Sequence, residues 1–246
     1  LLAQIEPGQQ LALPQKTVHQ VRDVLKLAVD EQMILLDISG EEVVVALVRS
    51  SRAEVVVRIV ERRSGKPEAA TRVILCQGLL KSARFEWILE KGTELGVSVF
   101  APILCRRSMA GLEEAGPAKV QRWQRIVQEA AEQSGRARLP ELLPVRPLLH
   151  ALNDIASDVL AIMPWEEEHE LSLRHVLHTM QKSATNDLSG RPTTVVLFIG
   201  PEGGLMAEEV MLAKRYGVQI VTLGTRILRA ETAALVTVAN VLYEMA

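Results

Sequence analysis

Aromatic residues are scarce: Phe, Trp and Tyr make up 3% of the 246-residue chain. A core built with so few of them is aliphatic, and an interleaved aromatic platform for stacking bases is excluded. Cysteine is nearly missing too, with Cys76 and Cys105 alone. Their spacing matches no metal or redox motif, and both lie in apolar runs, so they read as small buried hydrophobes. That usage fits a reducing, cytoplasmic setting. No apolar stretch approaches the roughly 20 residues of a membrane span, and no secretory leader pattern opens the chain. The first residues are Leu1-Leu2 rather than Met, so a few residues are expected to precede them. An excess of charge of one sign is also lacking. The net charge is -2, so a nucleic-acid partner must be met by a local basic patch.

What is present is an ordinary globular composition, 48% hydrophobic, with room for one large or two modest domains. Residues up to about 70 read as a small β-rich unit. Val18, Val21 and Leu25 suggest a short helix, and strands are expected at 33–37, 42–48 and 53–60. Turns at Ser39-Gly40 and Ser50-Ser51-Arg52 separate them. The charged run 61–68 has linker composition, which places a domain boundary between 68 and 69 and predicts a β-barrel-like first domain.

From Arg72 the rhythm becomes an alternation of strand and helix. Strands are expected at 73–77, 97–104, 158–163, 194–199 and 220–223. Helices are expected at 82–95, from Pro117, at 171–180, at 208–216 and at 231–245. Phe85, Ile88 and Leu89 sit at helical spacing before Gly96, and Val120, Trp123, Val127 and Ala130-Ala131 share one face of the next helix. Such alternation predicts an α/β domain with a mostly parallel sheet.

Two glycine-bearing loops follow apolar strands: Gly200-Pro201-Glu202-Gly203-Gly204, and Leu223-Gly224-Thr225-Arg226-Ile227-Leu228-Arg229-Ala230-Glu231-Thr232. Strand ends of an open α/β sheet are where ligands bind. The first loop is neither a P-loop nor a dinucleotide fingerprint, because no Gly-Lys-Ser/Thr and no G-x-G-x-x-G spacing is present. By spacing alone it reads equally as a ligand loop and as a plain strand-to-helix turn. The second carries an apolar pair between two arginines just before a helix. That suits an adenine-like ring, which wants apolar walls and backbone hydrogen bonds. The acidic run Glu166-Glu167-Glu168-His169-Glu170, near His175 and His178, lacks metalloprotease spacing and reads as solvated, so no metal is expected.

Taken together, these loops closely resemble those of the ribosomal RNA small subunit methyltransferase E (RsmE) family of the SPOUT superfamily. The likeness extends upstream through Lys91-Gly92-Thr93-Glu94-Leu95-Gly96-Val97, Arg122-Trp123, Glu132-Gln133-Ser134 with Arg136, Arg138 and Pro140, and residues 19–27. It covers nearly the whole chain. The resemblance implies an N-terminal PUA-like RNA-binding β-barrel (residues 1–68) and a C-terminal SPOUT domain with a deep trefoil knot (69–246). It also implies a homodimer that methylates N3 of one uridine of 16S ribosomal RNA within the small subunit. S-adenosylmethionine would be held by Met163 and Pro164 in a first loop and by Ile199, Gly200, Pro201, Glu202 and Gly203 in a second. Leu223, Gly224, Ile227, Leu228, Arg229 and Thr232 would complete the site in a third.

Uridine N3 carries a proton that must leave, so a carboxylate such as Glu202 or a cation such as Arg229 is needed. Arg229 is the stronger candidate, since Glu202 has a competing structural role. Arg22, Lys26, Arg49, Arg52, Arg106 and Arg107 are candidate RNA contacts. The rival readings are ribose 2′-O-methylation of another RNA and a non-catalytic ribosome-assembly factor. The chain departs from the family pattern at Lys26, at Val29-Asp30-Glu31, at Gly92 (usually Ala) and at Ala230 (often Thr). Gly92 costs a helix interior roughly 1 kcal/mol relative to Ala.

Overall fold

The computed structural model describes residues 6–36, 40–108, 116–184 and 194–245. It divides into two compact units, residues 1–68 with 132–139, and residues 69–131 with 140–246. The segment 132–139 thus belongs with the first unit, a membership that no local pattern in the sequence signals.

In the first unit, β1 (Gln10–Ala12), α1 (Gln15–His19) and a π-type turn (Gln20–Val24) precede β2 (Gln32–Leu36), β3 (Glu41–Ser50) and β4 (Val55–Ser64). The strands form an antiparallel sheet in the order β1-β4-β3-β2. Val43, Val45 and Leu47 pack with Val55, Val57 and Ile59 on one face, as strand alternation dictates, and Leu13, Val18 and Val21 join this core. Leu25 does not share the core: it is exposed, because the helical turn ends at Val24 and Lys26 takes a left-handed φ of 52°. Asp30, in the departing Val29-Asp30-Glu31 segment, is also left-handed, at φ 68°. Asp tolerates this conformation better than Lys does. Asp37 and Ser39, expected in a strand and a turn, lie outside the described residues.

The charged run at 61–64 is strand, not linker. Arg63 pairs in register with Glu42 and Ser64 with Glu41. The guanidinium of Arg62 donates to the carboxylate of Glu41 at 2.7 Å, and Arg63 Nε donates to that of the buried Glu42 at 2.8 Å. Charges that look solvated in sequence become cross-strand pairs once β3 lies alongside.

The second unit is built on a parallel sheet of seven strands: β5 (Arg72–Gly78), β6 (Val99–Leu104), β7 (Glu141–Leu142), β8 (Arg146–Pro147), β9 (Leu160–Pro164), β10 (Thr194–Ile199) and β11 (Gln219–Val221). The order is β11-β9-β10-β5-β6-β7, with β8 also pairing with β6. Both faces are covered, which is why the strands read as continuous apolar runs. One core receives Val73, Leu75, Leu160, Ile162, Val195 and Leu197 from the sheet. Against them pack α2 (Ser82–Leu95), α3 (Pro117–Ser134), α5 (Leu173–Ala184) and α7 (Ala230–Glu244). The opposite core receives Cys76, Ala161, Met163, Val196 and Phe198, covered by α4 (Leu148–Asn153) and α6 (Ala207–Arg215). Burial pushes the Cys76 thiol up to about 12 and raises that of Cys105 as well, so neither is a nucleophile.

Helix α2 ends as its glycine foretold. Gly96 is left-handed at φ 112°, and its N–H and that of Val97 return to the carbonyl of Gly92. Gly92 itself has a packing reason. A Cβ there would stand 2.8 Å from the ring of Phe100 on β6, so the aromatic ring occupies the space an alanine methyl would need. Phe85 of α2 and Trp123 of α3 stack with ring centroids 4.5 Å apart, both fully buried. Truncating such a core aromatic costs about 3–5 kcal/mol.

The direction each strand's helix takes decides where the site forms. Strands β9 and β5 send α5 and α2 to one face, while β10, between them, sends α6 to the other. Loops that part to opposite faces leave a crevice at the strand's carboxyl end.

Candidate functional site

A cavity of about 450 Å³ opens at that crevice. Its walls are the segments after β9, β10 and β11: Pro164, Trp165, Glu166 and His169; Ile199 through Leu205; and Thr222 through Ala230, with Ala233. Three loops distant in sequence meet because β10, β9 and β11 are neighbours in the sheet.

The loop after β10 is braced by the protein itself. Gln77, a buried amide at the end of β5, donates through Nε2 to the carbonyls of Gly78 and Gly200 at 3.0 and 3.3 Å. Glu202 Oε1 accepts from Arg84 Nη1 at 3.0 Å. Arg107 Nη1 donates to the carbonyl of Gly203 at 3.0 Å. Gly204 is left-handed at φ 74°, and a Cβ on it would stand 2.6 Å from Glu166 Oε1. Both facts demand glycine. Downstream, the buried Glu209 accepts from the N–H groups of Met206 and Arg106, each at 2.9 Å, which caps α6 and fixes the backbone after β6.

The loop after β11 is held far less. Its side-chain bonds reduce to Thr222 Oγ1, which accepts from Gly224 N and donates to Gly224 O, both at 3.2 Å. Ile227 is 86% exposed and Arg226 is exposed. Arg229 directly precedes α7 with extended backbone (φ -64°, ψ 152°), and its carbonyl accepts the N–H of Ala233. Arg229 is exposed and lines the cavity, and its guanidinium makes no ion pair with the described residues. Glu231, in the first turn of α7, faces Arg84 Nε at 3.7 Å.

Of the residues expected at the cofactor, Pro164, Ile199, Gly200, Pro201, Glu202, Gly203, Leu223, Gly224, Ile227, Leu228 and Arg229 line the cavity. Met163 and Thr232 do not. Met163 is fully buried in the core on the α4 and α6 face, the direction strand alternation gives it after Ile162. Thr232 lies within the first turn of α7. Sequence reasoning passed over Gln77 and Arg84, and it read His169 only as part of a solvated acidic run, whereas His169 and Glu166 line the cavity. For Gln77 a signal existed, an amide ending an apolar strand; for Arg84 none did.

The candidate RNA-contacting cations fall into two groups. Arg22 is bound to Asp23 at 2.6 Å, and Arg49 to Glu54 at 2.6 Å. Arg22, and after it His19, holds the Asp23 carboxyl down to about 2. Lys26, Arg52 and Arg106 are exposed with no side-chain ion pair to the described residues, and Arg107 serves the glycine loop. The acidic run after β9 folds into a bend in which Glu168 accepts the N–H groups of Glu170 and Leu171, and those bonds lower its carboxyl. Among the described residues no cluster of His, Cys, Asp or Glu is arranged to hold a metal ion. Nor is any described helix long and apolar enough to cross a membrane.

The model of the RNA methyltransferase domain family matches residues 67–242. Ribosomal RNA small subunit methyltransferase E from Bacillus subtilis is 31% identical over 98% of this chain and 93% of its own length. The chain belongs to this methyltransferase family. Among solved structures of relatives, the Neisseria gonorrhoeae ribosomal RNA small subunit methyltransferase E bound to S-adenosyl methionine superposes with a TM-score of 0.82. It is 28% identical, over 98% of this chain and 94% of that one. A methyltransferase from Legionella pneumophila, in complex with the bound cofactor SAM, superposes with a TM-score of 0.83. It is 29% identical, over 98% of this chain and 93% of that one. Membership agrees with the parallel sheet, the antiparallel first sheet and the long reach of the resemblance.

Proposed function

We propose that this protein is an S-adenosylmethionine-dependent methyltransferase of ribosomal RNA, acting on N3 of a uridine of 16S RNA in the small subunit. The observation that carries the reading is the cavity whose walls are both glycine loops and whose lining includes two arginines, Arg226 and Arg229, that make no ion pair with the described residues. A volume of about 450 Å³ falls in the range of small-molecule sites. Leu205, Leu223, Leu228 and Ala233 offer apolar walls for an adenine ring, and the first turn of α7 has uncommitted backbone N–H groups. These residues fit the cofactor. When bound, it supplies an electrophilic methyl group on a sulfonium.

The chain's own part is to orient the base and to favour loss of the N3 proton. Arg229 stabilises the negative charge that spreads over the uracil as that proton leaves. The proton itself passes to water at the mouth of the cavity, since Arg229 is already protonated and Glu202 is a poor acceptor with one oxygen engaged by Arg84. Of the candidate cations in the first unit, exposed Lys26 and Arg52 make no ion pair with the described residues and can meet RNA phosphates. The antiparallel sheet there supports a PUA-like barrel. Convergence of three loops on one cavity supports a trefoil-knotted site. Exposed Ile227 and Tyr243, the latter on α7, support a homodimer that covers the cavity. Cytoplasmic residence follows from the substrate. The test is to map methylated nucleotides in 16S RNA from cells with and without the protein. Loss of one N3-methyluridine is expected; an unchanged pattern rejects the assignment.

A further inference from the structure

We infer that Arg84 is a positioning residue that keeps the guanidinium of Arg229 free for the substrate, an inference that rests on the role proposed for Arg229. Arg84 stands on α2, far in sequence from both loops. Its Nη1 donates to Glu202 Oε1 at 3.0 Å, and its Nε lies 3.7 Å from Glu231 Oε1. One cation therefore spans the carboxylate inside the first glycine loop and the carboxylate two residues beyond Arg229. Both carboxylates are largely sequestered, with side-chain exposures of 20% for Glu202 and 13% for Glu231. Glu231 Oε2 is buried and accepts no hydrogen bond from the described residues.

The electrostatic consequence follows from what shares the cavity. Glu202 and Arg229 line the same walls. An acidic group in partly desolvated surroundings draws the nearest cation. With Arg84 in place, that demand is met from behind the cavity wall, by a planar fork whose separate nitrogens reach both acids. Arg229, on the less braced wall, stays uncommitted and available to an incoming anionic base. Without Arg84, Glu202 has no cation of its own among the described residues, and Arg229 lines the same cavity. The substrate's anion would then compete with a protein carboxylate for the same guanidinium.

The experiment reads the state of Arg229 directly. Wild-type protein and variants are treated with phenylglyoxal, which modifies accessible guanidinium groups, and peptide mass spectrometry follows the rate at Arg229. Arg84→Gln is expected to slow that rate at least about threefold, since the guanidinium becomes paired. The double variant Arg84→Gln/Glu202→Gln is expected to restore it to within about twofold of wild type, because the carboxylate that shares the cavity lining with Arg229 is gone, while Glu231 stands outside that lining. Arg84→Met, which keeps an apolar stem without the charge, is expected to slow Arg229 as the Gln variant does, and it covers the case in which the Gln variant folds poorly. A brace without electrostatic purpose would give no restoration in the double variant. An unchanged Arg229 rate in Arg84→Gln, or no recovery in the double variant, overturns the inference. Methylation of small-subunit RNA by the wild type is measured alongside. Its absence would sink the functional reading and leave the modification result standing by itself.

Discussion

The two glycine loops form walls of one cavity, yet the protein treats them differently. The loop after β10 is tied down at almost every residue: Gly200 by Gln77, Glu202 by Arg84, Gly203 by Arg107, and Gly204 by a left-handed backbone beneath Glu166. The loop after β11 keeps little beyond the Thr222–Gly224 bonds and leaves Ile227 in solvent. One wall is set before any ligand arrives, and the other has polar and apolar groups still to be satisfied. A rigid scaffold beside an adaptable contact surface is a common division of labour in binding sites, since pre-organisation lowers the entropic cost on one side only.

The strongest way to break this comparison is Arg229→Ala. Because the Arg229 side chain makes no ion pair with the described residues, its loss should leave thermal stability within about 0.5 kcal/mol of wild type. Methyl transfer to ribosomal RNA, followed with radiolabelled cofactor, should fall by about 100-fold or more. Near-normal turnover would remove Arg229 from the chemistry. Gly204→Val attacks the braced wall. A β-branched residue at φ 74°, facing Glu166 at 2.6 Å, should destabilise by about 1–3 kcal/mol in urea unfolding and weaken cofactor binding in calorimetry. An unchanged midpoint would show that this wall yields easily.

Smaller effects sharpen the contrast. Arg107→Ala removes one partly exposed bond to the Gly203 carbonyl, worth about 0.5–1 kcal/mol, and should raise the cofactor Kd a few-fold without touching kcat. A loss of kcat equal to the loss of kcat/KM would instead place Arg107 at the substrate. Ile227→Ser should change stability by less than about 0.5 kcal/mol, given its exposure, and register only in cofactor affinity or in self-association by sedimentation. A clear loss of stability would mean that the second loop is braced after all.

Much of this was legible in the sequence, where local physics suffices. Val73, Leu75, Val195 and Leu197 announce buried strands by type alone, and Phe85, Ile88 and Leu89 announce the apolar face of α2 before Gly96 ends it. The cavity loops were visible because glycine after an apolar run has few other uses. The run 61–64 misled because charge reads as solvent exposure until a partner strand offers opposite charge in register. Leu25 misled because helical spacing continues in sequence past the point where Lys26 turns the backbone left-handed. Short strands such as β7 and β8 have too few residues to carry a period.

The sequence by itself thus determined the alternation of strand and helix, the composition of the cores and the two loops that must turn sharply. Tertiary structure alone decided which charges meet. Arg84 reaches Glu202 across 118 residues, the Arg107 guanidinium and the Arg106 backbone N–H hold the glycine loop and its following helix, and Arg229 makes no ion pair with the described residues. Backbone conformation and burial respond to neighbours a few residues away, and these are written in the chain's local order. Ion pairing depends on distances of a few ångströms between segments that only the assembled sheet and its helices bring together.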